Sequence, residues 1–231
     1  MEKFINDRFC DDIDGSSYQY LHGRLISNVL KYLWEHVRVR NDKIGTEEYF
    51  KFDNIKEGKY IRWYHSGPLC EECYYISDKK DGDHKIWYKS GQIYNHYMCK
   101  YGNIDGEYKE WYENGQLYEQ CMFQNGNRHG ECKEWHINGQ LWEQSMYLHG
   151  VKNGDYRMWY ENGQLRIHWV YANGLINGDC GEWYANGRLK LQCAYKNGIM
   201  HGKCIEWSMF RDCIDTQCVY VNGKIDCKYP L

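Results

Sequence analysis

Cys70-Glu-Glu-Cys73 has the spacing at which two thiolates hold zinc. A structural zinc site needs four ligands, so one such pair requires a second. Residues three apart on an extended strand also point to opposite faces, so the pair reads as two packed thiols. Cys180 with Cys193, and Cys204 with Cys218, fall where they face each other across hairpins. An oxidising setting would make them cross-strand disulfides, and a reducing one leaves them as small apolar side chains in the columns that hold Tyr108 and Tyr156. His129, His149 and His201 fall in loops between hairpins and His65 in a turn, none paired with Cys, Asp or Glu at ligand spacing. They read as surface residues. No P-loop, G-x-G-x-x-G or G-x-S-x-G pattern occurs. The expectation is a chain with no catalytic residues, no cofactor and no metal.

Composition narrows the class. The 231 residues carry a net charge of -3, which is no electrostatic footprint for nucleic acid. There are 23 Tyr, 10 Trp and 23 Gly against 2 Pro, which favours β-structure with many tight turns over disorder. The 12 Cys accompany no apolar leader and no membrane-length apolar run, so reduced thiols in an intracellular, cytoplasmic protein are expected.

What must position any of these residues is a repeat. Trp63, Trp87, Trp111, Trp135, Trp159, Trp183 and Trp207 follow one another at intervals of 24 residues, and "WYENGQL" stands unchanged at 111–117 and 159–165. A Gly precedes each Trp by five, from Gly58 to Gly202, and another follows by four from Gly67 to Gly187. Leu or Ile recurs six after the Trp, and an aromatic recurs at Tyr75, Phe123, Tyr147, Tyr171 and Tyr195. Segments rich in Tyr, Trp, Met and Cys between Gly-marked turns are strands, so each unit is one β-hairpin. Seven hairpins give an all-β repeat array, an elongated single-layer antiparallel meander on the order of 65 Å long at ~4.8 Å per strand.

Turn chemistry sets the expected register. Ser66 and Ser90 occupy the Asn114 position, and Ser is poor in the left-handed region that a two-residue turn needs there. A three-residue loop, Glu113-Asn114-Gly115, asks it of Gly alone. This loop places Trp111 opposite Leu117, Lys109 opposite Glu119, Lys133 opposite Glu143 and Glu182 opposite Lys190. It also avoids Glu110 facing Glu119 and Glu134 facing Glu143, since like charges directly opposite are unfavourable. One face then carries the Trp and Leu columns with the aromatic near Phe123, and the other carries Tyr64, Tyr88, Tyr112, Tyr160 and Tyr184.

The pattern G-x-x-x-x-W-Y-x-N-G-Q-L, followed by an aromatic, "NG" and a closing Gly, resembles MORN repeats from residue 58 to about 225. It is most similar to the variant found in a bacterial antitoxin-like family and in proteins of large DNA viruses. The resemblance implies a non-enzymatic scaffold or structural component that binds a protein partner. If viral, the chain would work in the virion or the host cytoplasm. Peripheral membrane tethering and antitoxin-like neutralisation of a protein target are the alternatives. The seventh unit loses its turn Gly and carries "NG" one residue late, as an end cap would.

Residues 1–57 form an N-terminal segment, 58–225 the seven repeats and 226–231 the C-terminal end. Leu21, Leu25, Val29, Leu33 and Val37 recur every four residues, so 16–37 reads as an amphipathic helix that caps the first strand or docks on a partner or membrane surface. "VRVR" at 37–40 and "EEYFKF" at 47–52 read as a leading hairpin. The expected partner surface is the middle of the array: Trp111, Tyr112, Tyr118, Trp135, Trp142, Trp159, Tyr160 and Trp169. Aromatic side chains are enriched where interfaces bind most tightly. Exposed terminal strands allow end-to-end self-association.

Overall fold

The computed structural model describes residues 34–41, 45–210 and 213–228. Over these the chain is one 18-stranded antiparallel sheet. The leading strands are β1 (Trp34–Asn41), β2 (Gly45–Phe52), β3 (Ile55–Trp63), β4 (Leu69–Ile76), β5 (Lys79–Trp87) and β6 (Ile93–Lys100). The middle holds β7 (Asn103–Trp111), β8 (Leu117–Gln124), β9 (Asn127–Trp135), β10 (Leu141–Leu148), β11 (Val151–Trp159) and β12 (Leu165–Ala172). β13 (Leu175–Ile176), β14 (Gly178–Trp183), β15 (Leu189–Lys196), β16 (Ile199–Trp207), β17 (Ile214–Val221) and β18 (Lys224–Lys228) complete it. Each strand pairs with its sequence neighbours except that β13 and β14, successive pieces separated by Asn177, both pair with β12. The elements of the described residues are all strands. The leading hairpin is present, with Val37 opposite Tyr49. Trp34–Val37 belong to β1 and are not helical, contrary to the helix expected over 16–37; residues 16–33 of that expectation lie outside the described part.

Two kinds of turn alternate. At one edge Gly115 N donates to Tyr112 O at 2.9 Å and Tyr112 N to Gln116 O at 2.8 Å, which is the expected three-residue loop. Gly115 closes it at φ 87°, a left-handed conformation that glycine adopts without strain. Asn114 Oδ1 accepts from Gln116 N at 2.9 Å, so this Asn acts through its side chain. At the opposite edge Asn125 and Gly126 take φ values of 50° and 80°, a two-residue type I′ turn. Asp53-Asn54 and Ser77-Asp78 adopt the same positive φ without glycine.

The register beyond the three-residue loop differs from the expected one. Trp111 does face Leu117, but the ladder then skips Tyr118, and Glu110 faces Glu119 while Lys109 faces Gln120. Likewise Glu134 faces Glu143 and Lys133 faces Gln144. Glu182 faces Leu191, although the Lys190 ammonium still reaches Glu182 at 3.1 Å. A bulge with one extra residue flips every later side chain of its strand. Here it brings Cys121 and Phe123 to the face of Tyr108, whose ring centroid lies 5.6 Å from that of Phe123. Aromatic and thiol packing therefore outweighs the proximity of carboxylates. The aromatic column is correspondingly on the Tyr112 face, not with Trp111 and Leu117.

That face is the packed one. Tyr60, Cys73, His84, Tyr97, Tyr108, Cys121, Cys132, Ser145, Tyr156 and Trp169 form one transverse row, each opposite the next. Cys180, Cys193, Cys204 and Cys218 continue it. The buried residues concentrate in this row, so lateral stacking between strands replaces a second layer.

Ties along the array reinforce the ladders. Tyr112 OH donates to the carbonyl of Trp135 at 2.9 Å, and Tyr64, Tyr88, Tyr160 and Tyr184 do the same to the Trp of the next repeat. At the other edge the Asp105 carboxylate accepts from Asn125 N at 2.9 Å and Asp81 from Tyr101 N at 3.0 Å. Each type I′ turn is thus held by the preceding one.

Candidate interaction surface

The packed face is built of rows that run across the strands. Nearest the three-residue loops is an aromatic row. Tyr88 meets Tyr94 with ring centroids 5.1 Å apart, and Tyr112 meets Tyr118 at 5.1 Å, both edge-on. His136 meets Trp142 at 5.9 Å. The second partner in each case is the bulged residue. At that position Arg166 lies over the Tyr160 ring at 5.6 Å, and Lys190 bonds Glu182. From β6 to β15 the position presents either a ring or a cation.

Next comes a row of polar groups. Arg62 and Glu71 face each other in the first repeat, and Asn95, Glu110, Glu119, Glu134 and Glu143 follow on β6 to β10. Four glutamates therefore stand in register on four adjacent strands. Arg128 bonds Glu119, and Lys152 reaches Glu143 at 3.2 Å. Tyr108 OH donates to Glu110 at 2.5 Å and Tyr156 OH to Glu143 at 3.0 Å. Glu134 has no hydrogen bond or ion pair among the described residues. Burial, then the charges of Glu143 and Glu119, push its carboxyl up to about 7. Burial also raises Glu119 despite the Arg128 guanidinium.

Glu71, Cys73 and His84 are the group among the described residues whose donor atoms could hold a metal, lying within 4.8 Å of one another. The sequence did not suggest it, because it forms across strands: Cys73 faces His84. Cys70 is the bulged residue of β4 and sits beside Arg62 and Tyr64, so Cys70 and Cys73 share a face, contrary to the expectation that they point apart. The place of a cation is taken by the chain itself. Lys80 Nζ lies 2.8 Å from Glu71 Oε1 and 3.4 Å from His84 Nε2, and Arg62 holds the other carboxylate oxygen at 2.8 Å. Burial, opposed by the bonds from His84 and Lys80, leaves Glu71 lowered to about 2. Burial drives the Cys73 thiol up to about 12, which disfavours the thiolate a metal needs.

Disulfides join Cys121 to Cys132 and Cys193 to Cys204. Cys180 and Cys218 flank the second as free thiols, so the proposed neighbours are adjacent but differently paired.

The eight expected partner residues are half-buried and divide between faces. Trp111, Trp135 and Trp159 lie opposite Leu117, Leu141 and Leu165 on the outer face. Tyr112, Tyr118, Trp142, Tyr160 and Trp169 lie on the packed face, with Trp169 stacked on Tyr156 at 5.9 Å. The outer face is charged. Lys109 and Gln120 meet Glu107, Lys133 and Gln144 meet Glu131, and Arg157 and His168 meet Asp155, with Met98, Met122 and Met146 exposed beside them.

No curated protein matches the chain. A family model described as a MORN repeat variant matches residues 104–125, 128–149 and 152–173, which span β7 to β12 apart from short gaps and end residues. The turn pairs and Tyr-to-Trp bonds repeat with the same spacing on either side of that stretch. Residues 104–173 of the chain are thus repeats of the MORN variant type.

Proposed function

We propose that the chain is a non-enzymatic interaction scaffold that docks a protein partner on the packed face of its middle repeats. MORN repeats generally mediate protein interactions and are typically non-catalytic. The observation that carries the reading to this surface is the aromatic row. Tyr112 with Tyr118 and His136 with Trp142 present half-buried rings at a fixed repeat, and the Tyr112 hydroxyl is tied to the Trp135 carbonyl. Rings held in place lose little freedom on binding, which favours affinity.

The test compares two faces of the same repeats. Tyr118→Ala with Trp142→Ala alters the packed face, and Met122→Ala with Met146→Ala alters the outer one. Each tagged protein is purified from its native cells under native conditions and its companions are quantified by mass spectrometry. The reading expects a specific companion lost with the first pair and kept with the second. Loss with the outer pair alone, or no companion above background for the unaltered protein, would overturn it.

A further inference from the structure

The polar row of the packed face has more acceptors than donors. Asn95 is 7% exposed, and its Oδ1 has no hydrogen-bond partner among the described residues. It faces Glu110 at one end of the glutamate row, and Glu134 stands unpaired near the other. A buried or half-buried acceptor without a donor costs free energy, so the row is built to receive donors it does not itself supply.

The flanking repeats show which donors the molecule places here. Arg62 lies on Glu71 at 2.8 Å, Lys190 on Glu182 at 3.1 Å, and Arg166 over the Tyr160 ring at 5.6 Å. Lys190 and Arg166 are bulged residues, and the corresponding positions of the two middle repeats are Tyr118 and Trp142. There the bulged position carries a ring in place of the cation; Arg128 and Lys152 reach Glu119 and Glu143 from the following strands, and Glu134 is left with no bonded cation among the described residues.

We propose that Glu134 and Trp142 receive an arginine side chain from an extended basic segment of the partner protein. The guanidinium would lie on the Trp142 ring and donate to the Glu134 carboxylate, and Glu110 beside Tyr112 and Tyr118 offers a second place along the same row. Arginine fits better than lysine because its planar head can stack and donate in pairs at once. A nucleic acid is disfavoured, since four glutamates in register repel phosphate. The inference rests on the packed face being the docking face and adds the chemistry of what docks.

Titration calorimetry of the whole chain with an oligoarginine peptide tests it, with the oligocitrulline peptide as the neutral isostere. Binding of the first and not the second is expected. Glu134→Gln and Trp142→Ala should each weaken it about tenfold, the worth of one charge-assisted or cation–aromatic contact. Glu107→Gln, on the outer face, should leave it unchanged. Glu134→Gln removes a repulsion and so should keep the fold, which its melting curve verifies. Absence of oligoarginine binding, equal binding by Glu134→Gln, or equal loss with Glu107→Gln overturns the proposal. If the peptide fails to bind while the packed-face pair still loses the native companion, the docking face stands and its cationic occupant falls.

Discussion

Glu71 and Glu134 stand in one transverse row yet respond to pH in opposite senses. Glu71 lies between Arg62, Lys80 and His84, and is held at about 2 in the folded chain. Its unfolded carboxyl titrates near ~4.3. The stability it contributes is therefore complete above that value and lost as pH falls toward 2. Glu71→Gln is expected to cost about 3 kcal/mol at neutral pH, because it strands two cations beside a neutral amide. Urea unfolding at pH 7 measures this, and the deficit should shrink by pH 3. Glu134 is the reverse case, raised to about 7. The folded state holds the extra proton between ~4.3 and 7, so stability falls across that interval as pH rises. Glu134→Gln should stabilise the chain by on the order of 1 kcal/mol at pH 8, a figure discounted for solvent screening of a partly exposed group. At pH 4 the gain should vanish. A gain of equal size at both values would show that charge is not its cause.

At the scale of the element, the turn and the ladder were legible to different degrees. The constancy of Gly115 and its counterparts disclosed the three-residue loop, because φ 87° excludes most side chains. In Gly115→Ala the new Cβ makes only an ordinary contact, with Gln92 Oε1 at 3.9 Å, so the cost is conformational, about 1–2 kcal/mol. A thermal melt should show that loss with unchanged circular dichroism. The bulge at Tyr118 left no comparable mark. Charge pairing argued for Lys109 opposite Glu119, and that argument failed because Arg128, from the next strand, attends to Glu119. Nothing within one hairpin revealed this guanidinium. The Glu71, Cys73 and His84 group was hidden for the same reason, since its members meet across strands. The Tyr-to-Trp bonds also escaped, although a Tyr directly after five of the seven Trp hinted at a role. Tyr112→Phe should cost about 1 kcal/mol, one net hydrogen bond. His136 makes the same contact only at 3.5 Å, so His136→Tyr should recover a similar amount. Paired urea curves for the two variants check both signs.

On the scale of the molecule, a leading pair, seven hairpins and the last strand β18 make a ribbon whose stability is local, each strand resting on its neighbours and on the turn before it. Such an array has no central core to disturb, so substitutions on the middle rows can be made without collapsing distant strands. It also exposes both faces along its length, which is what the interaction reading requires. Small-angle X-ray scattering of the dilute monomer tests this most directly. A ribbon roughly 80 Å along its hydrogen-bonding direction follows from ~4.8 Å per strand. The account predicts a skewed distance distribution with a long tail and a radius of gyration well above the ~17 Å of a compact domain of this length. A symmetric distribution with a radius near ~17 Å would mean that the sheet folds onto itself and buries the face assigned to the partner, and would contradict the account.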